Sequence, residues 1–295
     1  MRNQLKTILL LGLLSALLVL VGRALGEGPM IAAIVIAGVM NVGAYFFSDR
    51  LVLAMNHARE VSPYEAPDLH RIVAELAARA EIPMPRVFVM QDPQPNAFAT
   101  GRNPQHGAVA VTTGILEMLT DRELRGVLAH EIAHIKNRDI LVSSIAAVAA
   151  SAISMLGQLL SFAALSPRSH DDDEHGSPAT GLLFALVAPI AAVLIQLGIS
   201  RSREYLADES GARISGDPEA LARALEKLEY GAERVPSWAS PATASLFIVN
   251  PFAGLGGALS LFSTHPLTEE RVRRLRAMRV SRGLDRLEAL PRSPW

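Results

Sequence analysis

The sequence predicts a mainly helical α+β fold in which four membrane-crossing helices are continuous with a cytoplasmic domain that contains a small β-sheet. Three observations predict it. Half of the 295 residues are hydrophobic, only 19% are charged, and the mean hydropathy is +0.26, too apolar for an ordinary soluble protein. Four long apolar stretches alternate with polar segments. Between the second and third, a helical period of 3.6 gives way to short strand-like runs bounded by Pro, Gly and Asn. A formal net charge of −1 offers no basis for nucleic-acid binding. With no cysteine there is no disulfide, thiolate ligand or cysteine nucleophile, so a metal must be held by His, Asp or Glu.

The first apolar stretch, residues 7–25, follows a basic start with Arg2 and Lys6. A signal peptide has the same basic start and Leu-rich centre, but Arg23 interrupts the natural place for a cleavage site. A second stretch, 30–47, follows after a Gly-Glu-Gly-Pro turn, and the two read as a transmembrane hairpin over 1–48. Residues 49–139 are soluble in character. Leu69, Ile72, Val73, Leu76 and Ala80 give a helix over 65–81 that Pro83 and Pro85 end. Strands are expected at 86–90, 97–100 and 107–112, and a helix from Thr120, where Thr-Asp-Arg-Glu is a capping box. The third and fourth stretches, 140–165 and 181–199, make a second hairpin over 140–200 around an acidic loop at 166–178. Their Ala and Ser content suits packed membrane helices, and also a buried soluble hairpin. The last part, 201–295, holds a helix after Asp217-Pro218 and an Arg-rich helix near 268–280. The apolar run 244–262 is too broken by Asn250-Pro251 and glycines to be a fifth span, and reads as packed on the site or the membrane surface.

Basic residues set the orientation. Arg2, Lys6, Arg50, Lys136, Arg138, Arg201 and Arg203 flank the four spans on one side, and only Arg23 and Arg168 lie on the other. The positive-inside rule puts the termini and both soluble parts in the cytoplasm.

The capped helix carries His130-Glu131-Ile132-Ala133-His134. Residues four apart on a helix lie about 40° from each other and about 6 Å apart along the axis. Two imidazoles so placed reach one divalent cation, and Glu131 stands beside them, able to take the proton of a water activated there. A third ligand is required. Glu204 is the candidate, because an antiparallel pair of spans of similar length returns the chain to the depth at which it left His134, one interhelical spacing of about 8–10 Å away. Asp208, one turn later, is placed to accept the other ring N–H of a ligand histidine. The alternative for both is an exposed helix whose acids pair with Arg201 and Arg203. Asn96, Ala97 and Phe98 open a strand bounded by turns: either an edge that pairs with an extended peptide substrate or a plain β-hairpin.

These segments together resemble a known family. His130–His134, Arg203-Glu-Tyr-Leu-Ala-Asp208, Asn96-Ala-Phe-Ala99 and Thr264-His-Pro-Leu-Thr-Glu-Glu-Arg271 occur in the order seen in the HtpX-type membrane zinc proteases, relatives of the CAAX prenyl endopeptidases. The likeness covers nearly the whole chain, with Leu267 a small departure. It implies a zincin-like catalytic domain with one Zn(2+) per chain on His130, His134 and Glu204, and Glu131 as general base and acid. It further implies an endopeptidase of a bacterial-type inner membrane that cleaves misfolded membrane proteins on the cytoplasmic side, and association with other quality-control proteases. Similarity to related gluzincins gives His265 as donor to the oxyanion, although a lone His before Pro is also an ordinary helix-start residue.

Three other readings remain at this level. An intramembrane protease places the same motif within a span, which Asp121, Arg122, Glu123, Arg125, Lys136 and Arg138 make expensive. A CAAX prenyl endopeptidase favours more than four spans. A non-hydrolytic metal-binding chaperone or transporter would be supported by intramembrane His or acidic pairs, which 140–165 and 181–199 lack.

Overall fold

The computed structural model describes residues 2–149, 151, 201–255 and 266–288. Among them the fold is mostly helical with one small mixed sheet. Helix α1 (Arg2–Leu25) turns at Gly26, with φ of 123°, into α2 (Glu27–Met55). The hairpin is held by Asn41 Nδ2 donating to Ser15 Oγ at 2.8 Å. Gly22 lets the two backbones meet, since a Cβ there falls 2.7 Å from the Pro29 carbonyl. The turn is shorter than the Gly-Glu-Gly-Pro predicted. Among the described residues α2 alone is long and apolar enough to cross a membrane, with a mean hydropathy of 2.1. It runs past residue 47, and its last turns bury Ser48, Asp49, Val52 and Leu53. Asp49 accepts from Arg86 Nη2 at 3.0 Å, so the hairpin and the next part of the chain share one helix.

The sheet comprises β1 (Arg59–Glu60), β2 (Arg86–Met90), β3 (Ala97–Thr100) and β4 (Ala108–Thr112) in the order β1-β2-β4-β3. Strands β2 and β4 are parallel, and the outer pairs antiparallel. Strands β2, β3 and β4 read as largely apolar runs because both faces of the sheet are covered there. Val87, Val89, Ala97, Ala99, Val109 and Val111 face a core built with α3 (Pro67–Ala80) and α5 (Asp121–Lys136). Phe88, Met90, Phe98, Ala108 and Ala110 face the other way, onto Val52, Leu53, Leu246 and Phe247. The five apolar positions expected on α3 are all buried.

Strand β1 and helix α4 (Thr113–Met118) are among the short elements that the sequence does not announce. Strand β1 has two exposed residues and no pattern to detect. Helix α4 is one and a half turns between β4 and α5, capped by the Thr112 hydroxyl. Helix α6 (Ile140–Ala149) packs on α1 through Leu10, Leu17, Val142, Ile145 and Ala146. The rest of the second expected hairpin, with its acidic loop, lies outside the described residues. Helices α7 (Arg201–Ser215), α8 (Pro218–Arg234) and α9 (Thr268–Glu288) complete the order. Asp217 caps α8 as its position before Pro218 suggests, accepting from Ala220 N–H at 3.1 Å.

Candidate metal centre

Helix α5 is fixed at its start by the expected capping box. Glu123 Oε2 accepts from Thr120 N–H at 2.9 Å, and Glu123 N–H donates to Thr120 Oγ1 at 3.4 Å. Lys227 of α8 donates to the same Oε2 at 2.7 Å. Two glycines let other helices approach the backbone of α5. A Cβ on Gly126 falls 2.8 Å from Leu221 N of α8, and one on Gly211 of α7 falls 2.8 Å from both N and Cα of His130. The second contact carries Glu204 and Asp208, earlier on α7, up to the motif.

The three expected ligands meet. His130 Nε2 and His134 Nε2 are 3.1 Å apart, with Glu204 Oε2 3.6 Å from the first and Glu204 Oε1 3.8 Å from the second. Tetrahedral ligands at about 2.0–2.1 Å from one ion stand about 3.4 Å from each other. The triangle fits one such ion. His130 is fully buried, while His134 and Glu204 keep 16% and 13% of their side-chain surface, leaving an open side.

Both ring orientations are set by carboxylates. His130 Nδ1 is 2.9 Å from Asp208 Oδ1, in the role expected of Asp208. His134 Nδ1 is 3.2 Å from each oxygen of Asp139, a residue to which the sequence assigns no role. Asp208 is in turn gripped by Arg271 of α9, Nε to Oδ2 at 2.8 Å and Nη2 to Oδ1 at 2.7 Å, while Arg271 Nη1 donates to Ile248 O at 2.9 Å. Arg271, the last residue of the segment Thr264–Arg271 that carries the resemblance, is 1% exposed, a buried position its sequence alone does not reveal.

Charge makes the same case for a cation. Glu131, Asp139, Glu204 and Asp208 surround the histidines, and Arg271 is the cation bonded directly to Asp208. With neutral imidazoles the cluster is three charges negative, and a dication with its ligands relieves most of that. Metal-free, the imidazoles take up the slack. Burial opposes a charged His134, yet Asp139, Glu204 and Glu131 push its pKa up to about 10. His130 moves up in the same way, burial being outweighed by Asp208 and Glu204. Burial raises Glu131, the nearby imidazoles only partly offsetting it, which brings a carboxylate toward the range a general base needs. Asp208 stays low, because Arg271 and His130 outweigh its burial.

A family model, peptidase family M48, matches residues 63–279. The chain belongs to peptidase family M48. This M48 chain is 54% identical over 283 residues to a protease HtpX homologue of Syntrophobacter fumaroxidans, covering 94% of this chain and all of that one. It is 51% identical over 282 residues to a homologue from Pelotomaculum thermopropionicum, with the same coverage. The crystal structure of S. mikatae Ste24p aligns with 92% of this chain and 64% of that one, at 20% identity and a TM-score of 0.49. As an M48 member the protein is a metalloprotease, and its His-His-Glu cluster is compatible with the metal.

His265 lies outside the described residues. Strand β3 does sit at the sheet edge, but Asn96, Ala97 and Phe98 are all buried. Asn96 Nδ2 donates to Val249 O at 2.9 Å, Ile248 N–H donates to Ala97 O at 3.0 Å, and Phe98 meets Phe247 edge to face at 5.2 Å. Segment 247–249 thus already lies along the strand where a peptide was expected. Ile248 of that segment also accepts from Arg271 Nη1, while residues 256–262 of the apolar run lie outside the described residues.

Proposed function

We propose that this protein is a zinc-dependent endopeptidase embedded in a bacterial-type inner membrane, cleaving misfolded or damaged membrane proteins on the cytoplasmic side. The observation that carries the reading is the meeting of His130, His134 and Glu204, with all three ligand atoms within 4.8 Å, beside the buried Glu131. Zinc bound there supplies Lewis acidity to water and to the scissile carbonyl. The chain does the rest. His130, His134 and Glu204 hold the ion, and Asp208 keeps the His130 proton on Nδ1. The Glu131 carboxylate takes a proton from the attacking water and hands it to the leaving amine. His265 is the proposed donor to the developing oxyanion. The edge of β3 is a substrate site only by exchange with segment 247–249.

Membrane insertion is supported by the side chains that α1 and α2 leave exposed, among them Ile8, Leu9, Ile31, Val35, Val39 and Phe46. So large an apolar surface does not face water on a stable protein. Four spans with cytoplasmic termini follow from the placement of Lys and Arg, and α6 already packs on α1. The test is cleavage of an unfolded membrane-protein substrate by the purified, zinc-loaded protein in detergent. The reading requires that a chelator and Glu131→Gln each abolish it. Cleavage that survives both ends the zinc-protease reading.

A further inference from the structure

We propose that Asp139 is a positioning residue of the metal site: its carboxylate holds the Nδ1–H of His134 so that Nε2 faces the ion, and, because Asp139 opens α6, the setting of that helix is felt at the ligand. This rests on the metal reading above.

Asp139 immediately precedes α6, the position at which an aspartate ordinarily accepts hydrogen bonds from the first backbone N–H groups of the helix. It does not do so. Both oxygens lie 3.2 Å from His134 Nδ1, and among the described residues no α6 backbone N–H donates to them. The side chain is 4% exposed, so the bond is sheltered from water. The backbone is shaped for this backward reach. Asp139 N–H donates to His134 O at 3.4 Å, and Arg138 takes a φ of 56°, a conformation that a bulky non-glycine residue keeps only where its surroundings impose it.

The chemical need is specific. An imidazole offers Nε2 to a metal only while Nδ1 carries the proton, and an anionic acceptor on Nδ1 fixes that tautomer and the ring plane. His130 has such a partner in Asp208 at 2.9 Å. Asp139 gives His134 the matching one from a different helix. Since α6 packs on α1 through Leu10, Leu17, Val142 and Ile145, a shift of that bundle moves the carboxylate that aims His134.

The test separates capping from positioning. In Asp139→Ser the hydroxyl caps a helix about as well as aspartate but is too short to reach Nδ1. Zinc affinity is read on the purified full-length protein by competition with a chromophoric chelator, and geometry by the visible absorption of the Co(II)-loaded form. The expected result is zinc binding weakened about 10–100-fold and altered Co(II) bands, in a metal-free protein that still unfolds cooperatively. Asp139→Asn, which keeps an acceptor but not its charge, is expected near the lower end of that range. It decides alone if the serine variant does not fold. Zinc affinity within twofold of wild type and an unaltered Co(II) spectrum in the folded variants overturn the proposal. Wild-type protein that holds no zinc overturns the metal reading itself, a distinct outcome.

Discussion

Gly211→Ala probes how the ligand triangle is held together. A methyl at that position falls 2.8 Å from N and Cα of His130 and 3.0 Å from Ala129 C. These are backbone atoms of α5 and cannot swing aside. Ordinary contact begins near 3.4 Å, so α7 must withdraw by about 0.6 Å, the difference 3.4 − 2.8. Asp208 and Glu204 lie about one and two turns earlier on the same helix and move with it. The Asp208–His130 bond of 2.9 Å stretches to about 3.5 Å, no longer a hydrogen bond. The shift of Glu204 also exceeds the roughly 0.2 Å that metal–ligand distances tolerate. Zinc affinity should fall about 10–100-fold. Fold stability should fall by no more than about 2 kcal/mol. Overpacking costs about 1–3 kcal/mol, and replacing a glycine inside a helix returns about 1 kcal/mol. Chelator competition measures the first quantity and thermal unfolding of the metal-free protein the second. A variant with wild-type zinc affinity would refute the view that this helix contact sets the ligand geometry.

Other outcomes follow from the same site. Arg271→Ala leaves Asp208 buried without its guanidinium, and should destabilise the fold by about 3–5 kcal/mol in denaturant unfolding; a loss under 1 kcal/mol would mean that Asp208 finds another partner. Glu131→Gln should retain stoichiometric zinc while kcat falls about 10²–10⁴-fold, so loss of the metal in this variant would argue against a purely proton-transferring role. Metal binding should release protons. The His134 pKa of about 10 in the metal-free site means that its charged form is displaced on binding, so affinity rises with pH up to about 10, roughly tenfold per unit for each proton released. The sign for stability is opposite. A raised His134 pKa stabilises the metal-free fold fully below about 6.5, and that contribution is lost as pH rises through about 10. Calorimetry in buffers of different ionisation enthalpy counts the protons, and affinity flat from pH 6.5 to 9 would contradict this.

Much of the arrangement was legible because it rests on local rules. The helical period of Leu69 to Ala80, the capping box at Thr120 and the Pro-bounded strands are patterns within a dozen residues. Each was found where expected. Glu204 was reachable from the expected return of the chain through the 140–200 hairpin and from the family resemblance, and Asp208 from its place one turn later on the same helix. Asp139 was missed because it looks like a helix cap, and only the backbone turn at Arg138 sends it back to His134. Arg271 belongs to a segment that carries the resemblance, but its bond to Asp208 was hidden because it sits in an arginine-rich run with Arg273, Arg274 and Arg276. Val272 and Leu275 mark the buried stripe there, but nothing local says that an arginine shares it. Gly211 reads from sequence as a weak point in a helix, and its use appears only when His130 lies against it. Asn96 to Phe98 show the converse. The strand is at the edge, as its turns implied, yet the distant segment 247–249 occupies that edge, a pairing no local pattern encodes.

The central claim is that α7 completes a metal site begun on α5. It is tested most directly by the zinc content of purified wild-type protein beside Glu204→Gln and His134→Ala. The structure predicts one zinc per wild-type chain and far less than one in each variant, with all three proteins folded. Stoichiometric zinc in Glu204→Gln would contradict it and remove α7 from the site.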